Sequence, residues 1–182
     1  MLGLPLETER LLLRPFEMTD DKDMFILDSN PLVHKYLGEN PSKTLEQSQQ
    51  MIEKIRNQYK ENGIGRWATI EKATGKFIGW SGLKYITEYE NNKIHFYDVG
   101  YRFIPEFWGK GYATEATKVA LEYGFNQLQL KEIIGMANIH NKASRRVLEK
   151  CGLQYVEQFM WKDITCDWLK IEKEDWLKII NL

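Results

Sequence analysis

Apolar and polar positions recur along the chain with two periods, and the change from one to the other divides it into elements. Runs of β-branched and aromatic residues bounded by turn residues predict strands at Glu9–Arg14, Trp67–Ile70, Phe77–Ile86 and Lys93–Phe103. Three more are predicted at Glu132–Ala137, Leu153–Met160 and Ile164–Ile171. Pro15 stops the first of these, because proline has no N–H to give to a ladder. Helical spacing takes over elsewhere. Thr19 followed by Asp20 and Asp21 reads as an N-cap with acids in the first turn, opening a helix through Leu27 that ends before Asn30-Pro31. Thr44 and Gln47 have the spacing of a capping box, and Leu45, Ser48, Ile52, Ile55 and Tyr59 keep one stripe up to the stop at Asn62-Gly63. Ala113, Ala116, Ala120 and Tyr123 form a third stripe, whose small residues let a helix lie close on a sheet. A fourth helix is expected over Lys142–Lys150, with Gly152 where a left-handed C-cap would fall.

The strands from Trp67 to Phe103 are joined by short polar connections, Ala73-Thr74-Gly75 and Tyr89–Asn92, which imply an antiparallel meander. No repeat, linker or low-complexity segment interrupts the chain, so residues 1–182 are expected to form one domain of mixed α and β structure.

The chemistry concentrates in DVGYRFIPEFWGKGYATEATKVALEYGF, Asp98 to Phe125. It reads as a strand ended by Ile104-Pro105, a Gly109-Lys110-Gly111 turn, and a helix. Such a strand, turn and helix present unpaired backbone N–H groups and a positive helix end to an anion, and Lys110 adds a full charge at the same place. Spacing narrows the anion. A nucleotide-binding phosphate loop needs its lysine after the second glycine and a Ser or Thr behind it, whereas here Lys110 precedes Gly111. A dinucleotide fingerprint needs a third glycine at the position of Thr114.

The run Trp108-Gly109-Lys110-Gly111-Tyr112-Ala113 instead resembles the pyrophosphate loop of the GNAT superfamily, the acetyl-CoA-dependent N-acetyltransferases, whose pattern is Gln/Arg-x-x-Gly-x-Gly/Ala. It departs from that pattern in having Trp108 first, and this looks like the branch that acetylates ribosomal-protein N-termini. Leu6-Glu7-Thr8-Glu9-Arg10-Leu11 resembles the opening of the same branch. The resemblance implies a central, mostly antiparallel, splayed sheet of about seven strands flanked by helices. It also implies acetyl-CoA as cosubstrate, with the pyrophosphate on the amides of Gly109, Lys110, Gly111, Tyr112, Ala113 and Thr114, and Trp108 beside them. The pantetheine would run along Phe103 and Ile104, with a backbone N–H near Ile104 polarising the thioester carbonyl. The two early helices and the last strands would wall the acceptor side.

Asn141 reads as the N-cap of the Lys142–Lys150 helix, and the matching asparagine of the family also bonds the pantetheine arm. Where the family often places a tyrosine to protonate the departing thiolate, this chain has Leu148. Ser144, one turn earlier on the same stripe, resembles the serine of the ribosomal-protein branch; it is either that acid or a solvated helix residue. Alternation puts Asp98, Gly100 and Arg102 on one face of their strand. Asp98 matches the position where some GNAT enzymes carry a general base, and its other reading is an ion pair with a distant Lys or Arg. Glu115 reads as a surface residue pairing with Lys118, and Cys151 as core. Trp161, Trp168 and Trp176 read as core, or else as an aromatic wall for the acceptor.

Composition bounds the partners. A net charge of −1 gives no electrostatic reason to expect nucleic acid, and no apolar run approaches the ~20 residues of a membrane span. MLGLPLETER lacks the basic start and apolar run of a secretory signal, and two cysteines suggest reduced thiols, so a cytoplasmic protein is expected. His34, His95 and His140 are too scattered for a metal site. The expected activity is acetyl transfer to a primary amine, first a protein or peptide N-terminus, by a monomer or homodimer. The alternatives are a polyamine or antibiotic acetyltransferase and an acyl-CoA sensor without turnover.

Overall fold

The computed structural model describes residues 5–181. Its strands are β1 (Leu6–Glu7), β2 (Leu11–Arg14), β3 (Trp67–Glu71), β4 (Lys76–Ile86), β5 (Phe96–Phe103), β6 (Glu132–Asn138), β7 (Gln154–Trp161) and β8 (Ile164–Glu172). The helices are α1 (Asp21–Asp28), α2 (Pro31–His34), α3 (Leu45–Asn62), α4 (Tyr112–Asn126), α5 (Lys142–Lys150) and α6 (Lys173–Ile180). One eight-stranded sheet runs in the order β1-β2-β3-β4-β5-β6-β8-β7. Every neighbouring pair is antiparallel except β5 and β6. Those two are parallel and share only the pairs Asp98↔Ile134 and Val99↔Gly135. Beyond them the sheet opens.

The faces of the sheet carry separate cores. Val99 and Phe103 of β5 point to the side covered by Ala116, Ala120, Leu121 and Phe125 of α4, Leu148 of α5 and Trp176 of α6. The small residues Ala116 and Ala120 are fully buried, which brings α4 close against β4 and β5. On the other face Met24, Leu27, Ile52, Ile55 and Tyr59 of α1 and α3 pack with Phe16, Ala68 and Phe77. A third cluster joins Phe96, Ile134, Phe159 and Trp168. Trp168 stands edge-on to both phenylalanines, at 5.2 and 5.1 Å between ring centres.

Local chemistry explains where the elements start and stop. The capping box of α3 forms, with the Gln47 N–H on Thr44 Oγ1 at 3.4 Å and the Thr44 N–H on Gln47 Oε1 at 3.2 Å. Gly63 ends that helix at φ 70°, a conformation glycine adopts without steric cost. Thr19 is not a cap. It lies inside a 3₁₀ turn over Met18–Asp20, where Asp20 accepts from the Glu17 N–H and from Arg14, and α1 starts one residue later than expected. The third strand of the meander begins at Phe96 and not Lys93, because Lys93 is drawn into a tight turn with Glu90 and His95 is left-handed at φ 58°. The short β1 brings the sheet to eight strands, and α2 and α6 are too brief for the hydrophobic period to reveal.

Candidate active site

Gly109 and Gly111 both adopt left-handed backbone, at φ 73° and 84°, and fold the chain from β5 onto the N-terminus of α4. A Cβ at Gly109 would meet nothing within 4 Å, so the loop is open to a ligand from that side. No side chain caps α4, which leaves the N–H groups of its first turn without an intramolecular acceptor. Lys110 stands between the glycines. Open backbone donors at a positive helix end fit a pyrophosphate.

The loop is braced from the far edge of the sheet. Arg10, just before β2, donates from Nη1 to the Lys110 carbonyl at 3.0 Å and from Nε to Glu115 Oε2 at 2.7 Å. Its guanidinium lies 4.6 Å from the centre of the Tyr112 ring. Thr8 and the Arg10 N–H also donate to Glu115, whose carboxyl is held below the ordinary glutamate range by these donors against the pull of burial. Glu115 is therefore a strut between β2 and α4, and the expected pair with Lys118 is not formed. Sequence distance hid this contact, since more than 100 residues separate the partners.

The second part of the site is the opening between β5 and β6. The Ile104 N–H donates to the Ile78 carbonyl of β4 at 2.9 Å, so it is not free to polarise a carbonyl in the opening. Alternation along an antiparallel strand then turns the backbone groups of Tyr101 and Phe103 toward β6, past the last β5–β6 pair. The Phe103 carbonyl is occupied by the Trp108 indole N–H at 2.7 Å. Trp108, in the place where the family carries Gln or Arg, thus ties the loop to the end of β5. The oxyanion donors available in the opening are the Tyr101 and Phe103 N–H groups.

On the α4 side, Asn141 caps α5 by accepting from the Ser144 N–H at 3.1 Å, and its amide nitrogen remains for a ligand. The Tyr101 hydroxyl donates to the Ser144 carbonyl at 2.8 Å and lies 3.1 Å from Ser144 Oγ. Burial pushes the Tyr101 hydroxyl well above the ordinary phenol range. Tyr101 was not among the residues expected here; its strand position gave no sign of a reach to α5. Leu148, in the family's tyrosine position, is fully buried under Gly135.

On the opposite face, Asp98 is buried and its carboxylate takes a charge-assisted bond from Arg66. Arg66 Nη1 also donates to the Asp98 carbonyl at 2.8 Å and to that of Gly82. Burial pushes the Asp98 carboxyl upward, with Arg66 pulling against it. A Cβ at Gly100 would stand 2.8 Å from Arg66 Nη2, so glycine is what lets the guanidinium reach across the strand. Arg102 pairs with Asp28 of α1 at 2.6 Å, and both Arg66 and Arg102 lie over the Trp80 ring, at 5.5 and 5.1 Å. Trp168 and Trp176 are core residues, whereas Trp161 is half-buried at the edge of this face.

Residues 10–154 match the family model described as acetyltransferase (GNAT) domain. The chain is 35% identical over 161 residues to the FsC-acetyl coenzyme A-N(2)-transacetylase of Aspergillus fumigatus, covering 86% of this chain and 68% of that protein. It is 34% identical over 151 residues to the Bacillus subtilis protein YkkB, covering 82% and 85%. A crystal structure of a GNAT-family acetyltransferase from Bacillus anthracis superposes with a TM-score of 0.76 at 27% identity, over 94% of this chain and 99% of that one. The chain belongs to the GNAT superfamily and is an acetyl-CoA-dependent N-acetyltransferase.

Proposed function

We propose that the protein transfers the acetyl group of acetyl-CoA to the α-amine of a protein or peptide, by direct attack with both substrates bound. The glycine loop, with Lys110 and the free amides of Gly109 to Thr114, holds the pyrophosphate. Asn141 and the exposed edge of β5 hold the pantetheine, which leaves the thioester carbonyl facing the Tyr101 and Phe103 N–H groups. The attacking nitrogen comes from the face lined by Asp98, Arg102 and Trp80. The C–N bond forms as the C–S bond breaks, and Ser144 stands on the side where sulfur needs a proton.

The observation that carries the choice of acceptor is the Asp98–Arg66 pair. A carboxylate bound to a guanidinium is a poor strand base, and the acceptor sets how much base is needed. An α-amine with pKa ~7.7 costs only about 1 kcal/mol to deprotonate at pH 7, whereas a lysine-like amine near ~10.4 costs about 4.6 kcal/mol. The first suits this site better. A small amine is the second reading, favoured by the way Gly38 beside α2, the β4–β5 loop and the β7–β8 hairpin converge over the acceptor face. A cytoplasmic setting fits Cys151 and Cys166, which are free thiols; either a monomer or a homodimer is compatible with this site. Thiol release from acetyl-CoA tests the reading: a peptide with a free N-terminus should drive it, the same peptide with a blocked N-terminus should not, and activity with spermidine alone would favour the second.

A further inference from the structure

Between β4 and β5 the chain makes a turn whose construction serves one side chain. The Glu90 N–H donates to the Lys93 carbonyl and the Lys93 N–H to the Glu90 carbonyl, both at 2.9 Å. The two residues between them, Asn91 and Asn92, are left-handed at φ 45° and 58°, the backbone of a type I′ turn that asparagine tolerates. Asn91 Nδ2 then donates to Glu157 Oε1 of β7 at 3.0 Å, and Lys93 pairs with Glu132 of β6. The turn is thus fastened to two other strands.

What the turn holds in place is the Glu90 carboxylate. Its Oε2 is buried and has no hydrogen-bond partner among the described residues. Charged and polar groups from four segments act on it. The Trp161 indole N–H comes from the end of β7, Lys84 from β4, Asp98 from β5, and Glu88 from its own loop. Burial and the neighbouring acids keep the carboxyl above the ordinary glutamate range, against the pull of Trp161 and Lys84. Asp98, one of the two β5 residues paired with β6, is on the acceptor face of the sheet and is among the charges that act on Glu90. The two acids differ in one respect: Arg66 holds the Asp98 carboxylate, whereas Glu90 Oε2 has no hydrogen-bond partner among the described residues.

We propose that Glu90, and not Asp98, is the carboxylate that receives the acceptor's primary ammonium and takes its proton, with the Trp161 ring as the adjoining wall. This rests on the N-acetyltransferase reading above and not on the choice of an α-amine, since an unpaired carboxylate would serve either amine. The ammonium gives one proton to Glu90, and the neutral nitrogen bonds to the thioester carbon. The C–S electron pair leaves on sulfur, and the proton that nitrogen sheds on becoming an amide ends there. The proton on Glu90 returns to solvent, so the net products are amide, free thiol and one proton. A carboxylate in this role is useful only while the amine is protonated, which ties its effect to the amine's own pKa.

The test is the pH profile of kcat/KM for Glu90→Gln against the unmodified protein. The amines are a hexapeptide with a free N-terminal alanine and no lysine, and spermidine; Glu88→Gln serves as an exposed control. With the peptide, Glu90→Gln should lose at least roughly tenfold at pH 6.5 and less than about twofold at pH 9, with KM for acetyl-CoA unchanged. Glu90→Asp should recover part of the loss, and Glu88→Gln should stay within about twofold throughout. The variant should keep the unmodified protein's rise in melting temperature with CoA, which shows that it is folded. Equal activity of Glu90→Gln and the unmodified protein at pH 6.5, or a deficit that is constant with pH, overturns the assignment of Glu90 alone. An unmodified protein that releases no thiol with either amine overturns the acceptor reading, and the role of Glu90 with it.

Discussion

Tyr101 of β5 and Ser144 of α5 meet across the parallel strands just where these part, hydroxyl to carbonyl at 2.8 Å and hydroxyl to hydroxyl at 3.1 Å. The contact joins the strand that would carry the oxyanion donors to the helix that would carry the acid. The single Tyr101 proton is spent on the Ser144 carbonyl, so Ser144 is the donor in the contact between the two hydroxyls. Rotation of one side-chain bond turns that proton toward the opening. Ser144→Ala is expected to lower kcat roughly tenfold to a hundredfold with little change in KM for acetyl-CoA. Tyr101→Phe keeps the serine and removes its brace, so its loss of kcat should be smaller. Steady-state kinetics on both variants checks this, and unchanged turnover in Ser144→Ala would leave water as the proton source.

Gly111→Asp should abolish acetyl-CoA binding. Aspartate would have to adopt φ 84°, and its charge would stand at the end of α4 where the pyrophosphate would approach. A Cβ there also meets Arg10 Nη2 at 3.4 Å. Saturating CoA should raise the melting temperature of the unmodified protein and leave that of the variant unmoved. An equal rise in both would remove the loop from the binding site.

Asp98→Asn is expected to act on stability before it acts on chemistry. It leaves the buried Arg66 guanidinium without its counter-charge, which in other buried pairs costs about 3–5 kcal/mol. Replacing both partners with apolar residues, Arg66→Met with Asp98→Leu, should recover much of that loss. Chemical denaturation of the three proteins measures it. Full stability in Asp98→Asn together with a large loss of kcat would return the role of base to Asp98.

His34 makes the protein less stable in acid. Its ring is buried against Asp28 and Arg102; burial, with Arg102 adding to it, holds its pKa below the ordinary histidine value, and Asp28 pulls the other way. The unfolded chain therefore binds a proton first as pH falls through ~6.5. The stabilisation from the neutral ring is present above that pH and is lost below it. Melting temperatures at pH 7.5 and pH 5.5 should fall further in the unmodified protein than in His34→Gln. An equal fall in the two would mean that His34 is not the group responsible.

Local signals in the sequence announced local structure. The Thr44–Gln47 box, the Gly63 stop, the small-residue stripe of α4 and the two-glycine turn all act within a few residues, and each stands where its chemistry puts it. What escaped the reading depends on which segments the sheet brings together. Asp98 could be placed on a face of its strand, but the guanidinium that occupies it comes from 32 residues away. Arg10 and Glu115 are 105 residues apart. Asn91-Asn92 did suggest a turn, yet that the turn is fastened to β6 and β7 and leaves Glu90 Oε2 buried without a partner among the described residues follows only from the fold. The Ile104 N–H went astray for a narrower reason. Which edge a strand's amides face is set by register, and the sequence carries no direct mark of register.

The central claim is acetyl transfer to an α-amine, and mass spectrometry of the product tests it most directly. A peptide carrying both a free N-terminus and one internal lysine, incubated with acetyl-CoA and the protein at pH 7, should gain one acetyl group. Fragmentation should locate that group on the N-terminal nitrogen, with the lysine unmodified. An acetyl group on the lysine side chain, or a peptide left unmodified, would contradict the account.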